Sequence, residues 1–283
     1  MPGFFVNQDS RRLLSWLWSH CSSTMGIMQP CPDEAFEWIP AGCETLLPST
    51  DPEWNGNFVS HLMPARFGAY AKILHSIEAM YANIDDLHSL TEREAEILKI
   101  PACAELRSFV ENLRKQGQTP RVRWATLAHV IGVPFAPEIC HEWFRRAMRE
   151  AECWGRFLYG PGEGTLVMEE VSAMVSILRA FTGAQDCYFR FSPIAFAGAD
   201  RSILFRGTLD ELPTFLLKEK RPFTPEHWWP SDRSWCVCTD YDLHFTVVGG
   251  SKDLISAVLR DVTLETVEVK RHTRIDKYAP VPC

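Results

Sequence analysis

The chain has 283 residues, 46% of them hydrophobic and 23% charged, with a formal net charge of −7. That length allows one large domain or two ordinary ones with a substantial core, and the composition excludes a disordered or fibrous chain. The acidic surplus argues against a binder of nucleic-acid backbones, and no apolar run approaches the roughly 18 residues of a membrane span.

Ten cysteines are scattered along the chain at 21, 31, 43, 103, 140, 153, 187, 236, 238 and 283. A disulfide framework belongs to small secreted chains, and this spacing does not suggest one. Arg11 and Arg12 precede Leu-Leu-Ser-Trp-Leu-Trp, a stretch too short and too broken by polar residues for a signal peptide, so it reads as a short helix. The expectation is a cytoplasmic protein with reduced thiols, most of them buried as small hydrophobes.

In chain order, residues 1–64 form an irregular, proline-rich segment. Asp9 or Ser10 can cap a helix carrying Leu13, Leu14 and Leu17, and the prolines from Pro30 to Pro64 dictate loop with short extended pieces. Residues 65–158 read as a helical block. Phe67, Tyr70, Ala71, Leu74, Ile77, Tyr81 and Ile84 recur at three- and four-residue steps and predict an amphipathic helix over 66–84. Thr91 with Glu94 makes a capping box for a helix that stops before Pro101. The stripe Leu106, Phe109, Val110, Leu113 ends at Gly117, and the stripe Trp124, Leu127, Ala128, Ile131 ends at Gly132. Pro137 opens a further helix with Cys140, Trp143, Phe144, Ala147 and Met148 on one face.

The loop Tyr159–Gly164 is the candidate boundary, and residues 165–283 form an α+β sheet region able to pack as one domain with the helical block. A helix carrying Met168, Val171, Val175 and Leu178 ends at Gly183. Then the period becomes two: Cys187–Phe191, Ser202–Arg206, Trp235–Thr239, Leu243–Val248 and Leu264–Val269 predict strands, with short helices near 212–218 and 251–260. The expected class is therefore α+β, a helical N-terminal half and a C-terminal antiparallel or mixed sheet of about five strands.

The densest run of chemistry-bearing residues lies in 227–250, and it admits two registers. As one strand, 235–248 would align Cys236, Cys238, Asp240, Asp242 and His244 as a row of metal-ligand types, but it would span roughly 46 Å, beyond ordinary strand length. A turn at Asp240-Tyr241-Asp242-Leu243 is favoured instead. In that hairpin Cys238 faces Phe245, Cys236 faces Val247 and His244 pairs with Thr239, so the thiols are core residues and no metal is expected. Val-Val-Gly-Gly-Ser-Lys (247–252) reads as a strand, a glycine turn and a helix that Ser251 can cap, with Lys252 beside its N–H groups. Asp232 and Arg233 follow Trp228-Trp229-Pro230 in a loop where an arginine can stack on a tryptophan.

Nucleophilic catalysis has no signature: Gly-x-Ser-x-Gly is absent, and Cys140-His141-Glu142 places neighbours that point about 100° apart on a helix. Arg121-Val122-Arg123 before Trp124-Ala-Thr-Leu-Ala-His has a helix-turn-helix flavour that the acidic balance outweighs.

The block Trp-Trp-Pro-x-Asp-Arg-x-Trp-Cys-Val-x-Thr-Asp-x-Asp-Leu, followed by Val-Gly-Gly-Ser-x-x-Leu-Ile, resembles a segment of a family of uncharacterised bacterial proteins. Tyr70–His75 and Arg121–Trp124 are similar to parts of the same group. The resemblance implies a bacterial cytoplasmic origin and carries no activity, cofactor or site residue. Two functions follow as expectations. One is a non-enzymatic binding or interaction protein with a protein partner, of accessory or immunity type by compositional analogy. The other is an enzyme or small-ligand binder drawing on Asp232, Arg233, Asp240, Asp242, His244, Ser251 and Lys252, with its pocket between the helical block and the sheet.

Overall fold

The computed structural model describes residues 28–81, 92–97, 99–148, 156–196, 199–219 and 223–282. In chain order the described strands are β1 (Gln29–Cys31), β2 (Ala69–Leu74), β3 (Ile77–Ala79), β4 (Arg121–Val122), β5 (Leu158–Tyr159), β6 (Cys187–Phe191), β7 (Ile203–Gly207), β8 (His227–Pro230), β9 (Cys236–Cys238), β10 (Phe245–Gly250) and β11 (Thr266–Val269). The described helices are α1 (Trp38–Gly42), α2 (Val59–Leu62), α3 (Glu92–Ile97), α4 (Pro101–Lys115), α5 (Trp124–Ile131), α6 (His141–Ala147), α7 (Met168–Thr182), α8 (Glu211–Glu219) and α9 (Lys252–Arg260).

The fold corrects the expected sheet of about five strands. Eight strands form one antiparallel sheet in the order β1-β7-β6-β8-β9-β10-β2-β11, and β4-β3-β5 form a small second sheet. The largest departure is 66–84, where the amphipathic helix is replaced by β2 and β3. From Tyr70 to Leu74 every residue of β2 is buried, because both faces of the sheet carry a core there. A strand buried on both sides loses its polar alternation, and its apolar spacing then mimics a helical stripe. β8 was hidden in the same way: His227, Trp228, Trp229 and Pro230 are all buried, paired to β6 and β9. Pro30 takes its place on the edge strand β1, where a missing N–H costs no ladder bond.

Two cores result, one on each face. Tyr70, Leu74, Cys236, Cys238 and Val247 belong to the core that includes residues of α1, α2, α4, α5 and α6, whereas Ala71, Ile73, Trp235, Val237 and Val248 belong to the one that includes residues of α7, α8 and α9. The period of two survives in this division, although both sets are apolar.

Several helices match their sequence signals, including α4, α7 and α5, which Gly132 closes in the left-handed conformation at φ 70°. The helix expected from Pro137 starts at His141 instead. The carbonyls of Pro137 and Ile139 accept from the Lys72 ammonium and so turn away from a helical ladder. Thr91 and the expected helix around Leu13 lie outside the described residues.

The hairpin register differs from expectation by two residues: Cys238 pairs with Val247, and Cys236 with Gly249. A shift of two keeps every side chain on its face, so the thiols remain in the core, 0% and 1% exposed. The ladder stops because Thr239 N–H donates to the Glu226 carbonyl at 2.7 Å, and the Thr239 and Thr246 hydroxyls bond each other at 2.8 Å. Cys103 is disulfide-bonded, a departure from the expectation of reduced thiols throughout. Among the described residues no helix is long and apolar enough to cross a membrane.

Candidate functional site

The structure divides the seven sequence-predicted site residues between two ends of the sheet. Asp232, Arg233, Ser251 and Lys252 lie where β8 ends, β9 begins and β10 ends. There Asp232 N–H donates to Gln185 Oε1 at 2.9 Å, and Gln185 Nε2 donates to Asp232 Oδ2 at 3.0 Å. Arg233 adopts φ 57° and sets its guanidinium 5.4 Å from the centre of the Trp38 ring. Ser251 caps α9 by accepting from Leu254 N–H at 3.2 Å, and Lys252 is exposed. The loop is filled by its own contacts.

Asp240, Asp242 and His244 lie at the opposite end, in the connection between β9 and β10. Asp240 turns back on its own loop, accepting from Asp242 N–H at 2.9 Å. Asp242 and His244 instead open onto a cleft of about 370 Å³ between this connection, α6 and the C-terminal segment. Trp124, Cys140 and Phe245 form its buried parts. His141 comes from α6 and meets His244 edge to face, with ring centres 4.8 Å apart.

Each wall is fixed by local bonds. Glu163 Oε1 stands 3.6 Å from His244 Nε2. It sits between two anchored glycines: the Gly162 carbonyl faces His75 Nδ1 at 2.6 Å, and Gly164 N–H donates to the Leu243 carbonyl at 3.0 Å. Gly164 has φ +63°, and a Cβ there would lie 2.6 Å from Tyr241 Cα, so only glycine fits. His75 must carry its proton on Nδ1 to meet that carbonyl, which leaves Nε2 to accept from the Thr246 hydroxyl at 3.0 Å. Trp124 is held by the Glu265 carboxylate, which accepts from Trp124 N–H and Ala125 N–H at 2.8 Å each. On the other wall Trp143 Nε1 donates to the Ala279 carbonyl at 2.9 Å and Arg146 to the Lys277 carbonyl at 2.7 Å, tying α6 to the C-terminal segment.

Burial decides the charge of the imidazoles. Desolvation, reinforced by His244 and Arg145, pushes His141 down to about 4. Desolvation also lowers His244, with Glu163 opposing it. Both rings are therefore neutral at neutral pH, and a neutral imidazole has one donor and one acceptor nitrogen. A neutral imidazole beside a carboxylate can bind a polar ligand or accept a proton from it.

Among the described residues no group of three or more His, Cys, Asp or Glu is placed to hold a metal ion. Burial holds the thiols of Cys236 and Cys238 well above the ordinary range, and they face the helical core, not the cleft.

Sequence reasoning passed over Arg145, Glu163 and Lys277, and set His141 aside as the neighbour of Cys140. His141 meets its partner from a distant strand connection, and no spacing rule reports such a pair. Glu163 lay in a loop read only as a boundary. Comparison with protein-family models, with curated proteins and with solved structures found no match, so the functional reading rests on the cleft itself.

Proposed function

We propose that this chain is a small-ligand-binding protein whose site is the cleft between α6, the C-terminal segment and the β9–β10 connection. Of the two functions expected from the sequence, the cleft favours the second, with a different set of residues. The observation that carries it is the neutral His141–His244 pair, rings 4.8 Å apart, in a cleft of about 370 Å³. That volume falls within the range of small-molecule pockets, and its mix of aromatic surface and convergent polar groups is their usual lining.

The test is a fragment screen followed by the Hε1 ring signals of His141 and His244 in NMR spectra. Binding at the cleft moves both signals in a saturable way, and His244→Phe abolishes the response while the fold, checked by circular dichroism, is retained. Fragments that bind without moving either ring signal, or no saturable response across the screen, would overturn the reading.

A further inference from the structure

The cleft sorts its charges by wall. Arg145 comes from α6 and Lys277 from the C-terminal segment bonded to it, so the two cations share one side. Glu163 and Asp242 come from the opposite side, joined through the Gly164–Leu243 bond and the approach of Glu163 to His244. Glu142 also lines this side and pairs with Arg145 at 3.4 Å and Arg146 at 3.6 Å within α6, so the side keeps a net positive charge from Arg145 and Lys277 against one carboxylate. His141 belongs to the cationic wall and His244 to the anionic one, and the two meet between them.

Such a site discriminates by dipole. A ligand with one negative charge gains from Arg145 and Lys277 but faces Glu163 and Asp242; a lone cation meets the reverse. A molecule carrying both charges a few bonds apart satisfies both walls. The cavity of about 370 Å³ suits something of amino-acid size, with Trp124 and Phe245 available to an apolar side chain. We infer that the ligand is a small zwitterion of the amino-acid type, its carboxylate toward Arg145 and Lys277 and its ammonium toward Glu163 and Asp242. This inference rests on the cleft being the ligand site.

The experiment compares matched probes on the full chain: L-phenylalanine, 3-phenylpropionate and phenethylamine, and likewise L-alanine, propionate and ethylamine. Binding is measured by calorimetry and by the ring signals of His141 and His244. The zwitterion of at least one series is expected to bind at least about tenfold tighter than either singly charged analogue, the worth of one well-placed charge contact. Arg145→Met with Lys277→Met brings the zwitterion to the affinity of the amine, whereas Glu163→Gln with Asp242→Asn brings it to that of the carboxylate. All four positions are exposed at the rim, so the variants keep the fold. Equal binding of a singly charged analogue, or no binding of either zwitterion while neutral fragments still move the ring signals, overturns the zwitterion and leaves the cleft standing. If no compound moves those signals, both fall.

Discussion

Lys72 carries an ammonium into the core with no exposed surface, and two carbonyls and the face of Phe245 replace its water. Desolvation pushes it down to about 7, against the opposing pull of Cys140 and Glu138. A lysine lowered in the folded state binds a proton more weakly there than in the unfolded chain. Between that value and its ordinary 10.5 the unfolded chain holds the extra proton, so stability rises with pH. The usable window is pH 7 to 9, below the ordinary 9.0 of the buried thiols, whose raised values act in the opposite direction above it. Urea denaturation across that window is expected to show stability rising by up to about 1.4 kcal/mol per pH unit, a slope that Lys72→Met removes. Gly164→Ala tests the cleft wall in a different way. Its left-handed backbone and the contact with Tyr241 predict a loss of about 1–3 kcal/mol, read as a lower denaturation midpoint, together with displacement of the His244 ring signal. At this scale the sequence grouped Asp242 with His244, and the structure places both on the cleft. The sequence joined them wrongly to Asp232, Arg233, Ser251 and Lys252, because closeness along a strand connection is not closeness across a sheet.

Helix α5 owes its position to an acceptor outside it. No side chain of its own caps it, and Glu265, just before β11, supplies both oxygens to its first N–H groups. Burial raises that carboxyl, while the two N–H groups pull it back down. Glu265→Ala is expected to cost about 2 kcal/mol or more and Glu265→Gln about half as much, measured by thermal or urea unfolding. Both should also loosen Trp124, seen as a red shift of tryptophan emission. The elements that the sequence displayed best were those with one wet face, such as α4 and α9, or with clean alternation, such as β6. β2 and β8 were illegible because both of their faces are dry, and then neither period is written in polar residues. The start of α6 was illegible because its cause is a lysine on β2, far away in sequence.

Across the whole molecule, buried imidazoles set the acid limit. Burial lowers His75 and His141 to about 4 and His227 to about 3. As pH falls below their ordinary 6.5, the unfolded chain takes up protons that these rings refuse, and stability declines toward those values. The raised buried carboxyls of Glu170, Glu226 and Glu265 act in the opposite sense, so a single-site difference is the clean measurement. His227→Phe, with its ring against Phe36 at 5.1 Å, is expected to match the parent at pH 7 and exceed it at pH 5 by about 1–2 kcal/mol. An unchanged difference between the two pH values would contradict it. One feature of the sheet also governs when the molecule can be completed. β2, at residues 69–74, lies between β10 and β11 and bonds to both. A growing chain releases this buried strand long before either neighbour exists, and this end of the sheet cannot close until residue 269 has left the ribosome. Pairing of β2 is therefore complete only after some two hundred further residues have been made. A strand that is buried on both faces in the finished sheet waits through that interval without its partners, open to mispairing.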